Sequence, residues 1–173
     1  MYWAKCNIIN LFNVSFIFLM VVLNQSTAIN DNSSISDVSL SSGSPDSQLT
    51  VIRAENIIKQ IKDEKDVEYD RVRIEGELNL SSLDIKNSIS IRDSFISEFT
   101  NFSHTTFEDY INFESTIFQD DATFQRAHFK DVTFFTRAQF QEAAYFSETQ
   151  FDEEANFNMA KFIGPLYFYN SQF

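Results

Sequence analysis

The sequence predicts an all-β fold, a four-sided parallel β-helix of about 22 residues per coil. Three observations carry this. First, phenylalanines stand at Phe102, Phe107, Phe113, Phe118, Phe124, Phe129, Phe135, Phe140, Phe146, Phe151, Phe157, Phe162, Phe168 and Phe173, at intervals that alternate five and six residues without a slip. Second, the same clock run towards the N-terminus lands on Ile96, Ile91, Ile85, Leu80 and Ile74, all branched aliphatics. Third, a small residue stands two places before twelve of the fourteen phenylalanines, as in Ala122-Thr123-Phe124, and only Ile111 and Leu166 depart. A helical solenoid needs apolar residues at steps of three and four, and an ordinary strand needs sustained alternation. Neither pattern extends beyond three residues here. A small-polar-large segment, its outer members inward and its middle member in water, followed by two or three corner residues, fits the pattern.

Room sets the coil length. Two segments per coil would force two phenylalanines into a narrow tube at every layer of roughly 4.8 Å. Four segments double the perimeter and enlarge the enclosed area about fourfold, while the phenylalanine count only doubles. The 22-residue coil stacks Phe102, Phe124, Phe146 and Phe168 in one inner column and Phe113, Phe135 and Phe157 in another.

These small-x-Phe-x-x segments resemble pentapeptide-repeat proteins over about 100 residues. The resemblance implies a right-handed quadrilateral β-helix with a central inward Leu or Phe. The alternating six-residue interval departs from a strict five-residue form and is similar to a Phe-rich branch of the family. Its extra corner residues are Tyr110, Asp121, Val132, Ala143, Glu154 and Pro165.

Taken in chain order, residues 1–28 read as a signal peptide, with Lys5, an apolar or small run from Val14 to Leu23, and Ser26-Thr27-Ala28 for cleavage. An uncleaved membrane anchor is the other reading; the stretch from Ile8 to Leu23 is short for it and is interrupted by Asn10, Asn13 and Ser15. Residues 29–49, rich in Ser, Asn and Asp, read as a disordered linker. Over 50–66 the positions of Val51, Ala54, Ile57, Ile58 and Ile61 predict an amphipathic helix that caps the coil, with Thr50 as its N-cap. The β-helix is expected over 67–173.

The chain carries 13 Lys+Arg against 25 Asp+Glu, a formal net charge of −12. Cleavage after Ala28 leaves −13, and either value disfavours nucleic-acid binding. The single cysteine, Cys6, cannot form a disulfide framework or thiolate cluster. No phosphate-binding glycine loop, metal-binding His pair or nucleophile elbow appears, so neither a catalytic residue nor a cofactor is expected. His104 at a corner and His128 at an outward position read as solvated side chains.

Two surface columns follow from the 22-residue stack. Asp109, Asp131 and Glu153 would lie above one another, and carboxylates so close repel unless screened or bridged. The preferred reading is a solvated acidic edge relieved by Lys130 and salt, with no metal; the other reading makes the three carboxylates a candidate Ca²⁺ site. Thr123, Tyr145 and Tyr167 would align on a second face with Tyr169 beside them; the preferred reading is ordinary surface decoration, and in the other reading the three tyrosines are the candidate contacts for a protein or glycan.

The function expected is that of an exported, non-enzymatic structural or interaction module at the cell surface. The family resemblance implies a second reading, an acidic mimic of DNA that binds a topoisomerase in the cytosol, which a signal peptide disfavours. A third is a polysaccharide-active enzyme on a β-helix, for which Arg126, Lys130, Arg137 and Lys161 supply few basic groups. Asn32, Asn79 and Asn101 stand in Asn-x-Ser sequons. The chain stops on Phe173 without a polar cap, so it is expected to be a truncated product or to pair end to end as a homodimer through Phe162, Phe168 and Phe173.

Overall fold

The computed structural model describes residues 49–173. The expected signal peptide and nearly all of the expected linker therefore lie outside the described residues.

The chain winds as a parallel β-solenoid with four faces. Face A comprises β1 (Thr50–Arg53), β3 (Val72–Glu75) and the strands Phe95–Ile96, Ile117–Phe118, Gln139–Phe140 and Lys161–Phe162. Face B runs from β2 (Val67–Asp70) through Ile89–Arg92, Ile111–Asn112 and Thr133–Phe134 to Ala155–Asn156. Face C runs from β4 (Leu78–Asn79) through Thr100–Asn101, Ala122–Thr123 and Ala144–Tyr145 to Leu166–Tyr167. Face D holds β5 (Asp84–Ile85), Thr106–Phe107, His128–Phe129 and Gln150–Phe151, with a bridge from Gln150 to Gln172. Every pairing is parallel and joins residues 22 apart, as Ala122 joins Thr100 and Ala144.

Backbone hydrogen bonds reach alternately forward and back along the solenoid. The Phe124 N–H donates to the Tyr145 carbonyl of the next coil at 2.7 Å, while the His128 N–H donates to the Thr105 carbonyl of the preceding coil at 2.9 Å. Each inner coil thus satisfies its polar backbone through both neighbours, and one coil alone would leave it open.

The interior is the predicted ladder. Ile74, Leu80, Ile85, Ile91, Ile96 and the ten ladder phenylalanines from Phe102 to Phe151 are buried, while Phe134, beside the ladder, is half-buried. Rings stack one coil upon the next: Phe118 on Phe140 at 4.7 Å, Phe124 on Phe146 at 4.7 Å, and Phe135 on Phe157 at 4.9 Å. The last coil is less enclosed. Phe157, Phe162 and Phe168 pack against the core while partly buried, and Phe173 stacks on Phe151 at 5.1 Å but is 55% exposed. The inward hydroxyls of Thr105, Thr116 and Thr149 donate across coils to the carbonyls of Leu80, Ile91 and Phe124, whereas those of Thr100 and Thr133 donate within their own coil to the carbonyls of Glu98 and Asp131.

The two corner types have different chemistry. The first phenylalanine of each five-residue interval opens a tight turn whose third residue has positive φ: His104, Ser115, Arg126, Arg137, Glu148, Met159 and Asn170, with φ from 55° to 58°. The Ala127 N–H closes one such turn on the Phe124 carbonyl at 2.9 Å. The six-residue corners carry the extra residue without positive φ. There a carboxylate takes up the added amide: Asp109, Asp120 and Asp131 each accept from the N–H of the following residue at 2.6–2.7 Å.

The N-terminal element corrects the expected helix over 50–66. The helix α1 spans only Ala54–Lys62, its N-cap position is Arg53, and no side chain caps it. Thr50, expected as the N-cap, begins β1, and Val51, expected on the apolar stripe, is 49% exposed. The reason is register. Thr50–Arg53 lies one coil before Val72–Glu75 and pairs with it over all four residues, and ladder hydrogen bonds outweigh the propensity of four residues for a helical turn. The coil therefore begins at Thr50 and not at 67. Within this first coil α1 takes the places of the face C and face D strands between β1 and β2, and buries Ala54, Ile57 and Ile61 in the core. It closes that end from inside the coil.

Candidate functional site

The filled interior leaves the outer faces as the place for function. Two shallow depressions lie on the surface of the described residues. One of about 520 Å³ is lined by Glu148, Asn170, Ser171 and Gln172, and one of about 250 Å³ lies beside α1, with Arg53, Ile58 and Gly76 among its lining residues.

Face C carries the outward column Asn79, Asn101, Thr123, Tyr145 and Tyr167. Each side chain sits here because its inward neighbours are core residues, so the pleat turns it to solvent. The predicted alignment is present: Tyr145 and Tyr167 stack in parallel with ring centroids 4.9 Å apart. Tyr167 is 46% and Tyr169 72% exposed, while Tyr145 is half-buried. Burial, with smaller contributions from Asp121 and Tyr167, pushes the Tyr145 phenol above its ordinary range, so the hydroxyl is a neutral donor at physiological pH. The stack covers one face of each ring and leaves Tyr167, in the last described coil, 46% exposed.

Face D and its flanking corners carry cross-coil charge pairs that the sequence reading missed. Lys130 Nζ meets Glu108 Oε1 at 2.7 Å, and Arg126 binds Glu148 with both Nε and Nη2, at 2.9 and 3.1 Å. His128 is not merely solvated: its Nε2 meets Asp152 Oδ2 at 2.8 Å, while Gln150 donates to Asp152 Oδ1 at 2.6 Å. Hydrogen bonds from Gln150 and then His128 hold the Asp152 carboxyl below the usual carboxylate range, and the Arg126 bonds do the same for Glu148. The available signal was the coil length. Arg126 and Glu148 are 22 residues apart, as are Glu108 and Lys130, and His128 and Asp152 are 24 apart.

The candidate metal column is not assembled as one. Among the described residues no group of three or more His, Cys, Asp or Glu is placed to hold a metal ion. Two of its members have another task, since Asp109 and Asp131 hold the amides of Tyr110 and Val132 at the wide corners. Carboxylates engaged in this way are corner fittings first.

The geometry defines a phenylalanine-cored parallel solenoid with side chains displayed in columns on its flat faces. A family model described as pentapeptide repeats (9 copies) matches residues 135–173, and the 22-residue register there is the register of the preceding coils. Over those residues the chain is similar to pentapeptide-repeat proteins. No curated protein and no solved structure matches it. Among the described residues no helix is long and apolar enough to cross a membrane.

Proposed function

We propose that this protein is an exported, non-enzymatic interaction module of the cell surface, binding a protein or glycan through Tyr145, Tyr167 and Tyr169. The carrying observation is the tyrosine cluster: a stacked pair held at 4.9 Å by two adjacent coils, with a third, largely exposed tyrosine two residues beyond Tyr167. A rigid backbone presents these groups at fixed spacing, so little ordering is lost on binding.

Immobilised protein is expected to capture a component of solubilised cell envelope, and Tyr145→Ser/Tyr167→Ser/Tyr169→Ser to lose that capture with the fold unchanged by circular dichroism. No capture by the wild type, together with free diffusion of the protein into the medium, counts against the reading. N-terminal sequencing of protein from fractionated cells tests export separately: a start at Ile29 supports it, and Met1 retained in the cytosol overturns it in favour of the DNA-mimic reading. Self-association through the last described coil belongs to the same proposal, with Phe162, Phe168 and Phe173 at or near the contact: the first two are only partly buried there and Phe173 is exposed. Sedimentation across a wide concentration range is expected to show a dimer that Phe168→Lys weakens.

A further inference from the structure

Two asparagines outside the tyrosine cluster occupy adjacent rungs of one column. Asn79-Leu80-Ser81 and Asn101-Phe102-Ser103 are both Asn-x-Ser tripeptides, and Asn79 pairs with Asn101 across neighbouring coils on face C. The middle residue of each tripeptide, Leu80 or Phe102, is buried in the ladder, so the pleat sends the asparagine outward. Asn79 is exposed and Asn101 half-buried.

The local geometry is the same in both. The Ser81 hydroxyl donates to Asn79 Oδ1 at 2.8 Å and the Ser81 N–H to the same oxygen at 3.2 Å. Ser103 repeats both contacts on Asn101 Oδ1, at 2.6 and 3.1 Å. Each carboxamide is thus anchored through its oxygen, with its nitrogen on the other side. Asn79 Nδ2 reaches the side chain of exposed Glu77 at 3.1 Å. An adduct on Nδ2 would leave the turn and the core in place.

We propose that the Asn79–Asn101 pair is an acceptor for one N-linked glycan, carried on Asn79. The donor is an oligosaccharide on a lipid pyrophosphate. A bond forms between Asn79 Nδ2 and the anomeric carbon, the bond from that carbon to the pyrophosphate oxygen breaks, the lipid pyrophosphate leaves with the electron pair, and Nδ2 gives up one proton. One glycan, not two, follows from the spacing: rungs roughly 4.8 Å apart do not give two substituted pyranose rings separate space. Asn79 is the occupied member because it is the exposed one, whereas Asn101 is hemmed in along the column by Asn79 and Thr123. The inference rests on the export reading for the compartment where the donor is met.

The test expresses the full chain in a host with a glycosylating secretory pathway, once with its own N-terminus and once with residues 1–28 replaced by a leader of that host. Intact mass is measured before and after a glycosyl-asparagine amidase, and peptide mapping locates the Asn→Asp conversion the amidase leaves. One glycan in the column, mapped to Asn79 in the leader-bearing protein, is expected. Asn79→Gln or Ser81→Ala is expected to lower occupancy at that position at least tenfold, and Asn79→Gln/Asn101→Gln to clear the column. A glycan in the leader arm with none in the native arm upholds the acceptor and counts against export alone. Secreted protein unmodified at both positions, or folded protein modified at both, overturns the proposal.

Discussion

Replacing Phe124 by Ala tests whether the phenylalanine ladder is the core. Phe124 is fully buried, stacks on Phe146 at 4.7 Å, lies tilted against Phe102 at 5.2 Å, and meets Phe135 edge-on at 5.3 Å. Losing a buried ring forfeits about 2–3 kcal/mol of transfer free energy. The aromatic contacts add about 0.5–1.5 kcal/mol per pair, and neighbours fixed in their own coils cannot close the void. The expected loss is about 3–5 kcal/mol. Phe173 is the internal control, since it is 55% exposed and meets only the rings of Phe151 at 5.1 Å and Phe168 at 5.7 Å; Phe173→Ala should cost about 1 kcal/mol. At roughly 4 °C per kcal/mol, Tm measured by far-UV circular dichroism falls about 12–20 °C for Phe124→Ala and about 4 °C for Phe173→Ala. A drop below about 4 °C for Phe124→Ala, or equal drops for the two variants, would refute the ladder as the source of stability.

Further outcomes follow from the corners and the charge pairs. Met159, exposed at φ 58°, should be replaceable by Gly with a gain of up to about 1 kcal/mol in urea unfolding, because relief of the left-handed strain exceeds the added entropy of the unfolded chain. Gly164→Ala should instead lose about 1–3 kcal/mol, since a Cβ there runs into the Glu142 backbone carbonyl of the preceding coil; an unchanged urea midpoint refutes this. Glu148, its carboxyl depressed by the Arg126 bonds, contributes stability that is present above the ordinary carboxylate range and lost as pH falls through its lowered pKa. Wild-type Tm should therefore fall more than that of Glu148→Gln between pH 5 and about pH 3 in low salt, and 1 M NaCl should shrink the difference.

The display surface was partly legible before the structure. Tyr145 and Tyr167 were found because one period of 22 places them on one face. The same arithmetic pairs Arg126 with Glu148, but it needs the side-chain reach across a corner, and reach depends on which corners are tight. The acidic column shows the opposite error. Asp109 and Asp131 share a column, yet the wide corner gives each an amide to hold, a demand visible only once the extra residue is known to lack positive φ.

The sequence by itself determined the coil. An inward phenylalanine every five or six residues reports the pleat directly, and a constant 22-residue register leaves no freedom in what stacks on what. Tertiary structure decided the N-terminal end. Val51, Ala54, Ile57, Ile58 and Ile61 satisfy a helical stripe as far as local spacing can tell, yet β1 takes the first four residues from Thr50 because its partner β3 stands one coil away. Local periodicity records which side of an element is apolar. It does not record the hydrogen-bond partner 22 residues on, and at Thr50–Arg53 that partner decides between strand and helix.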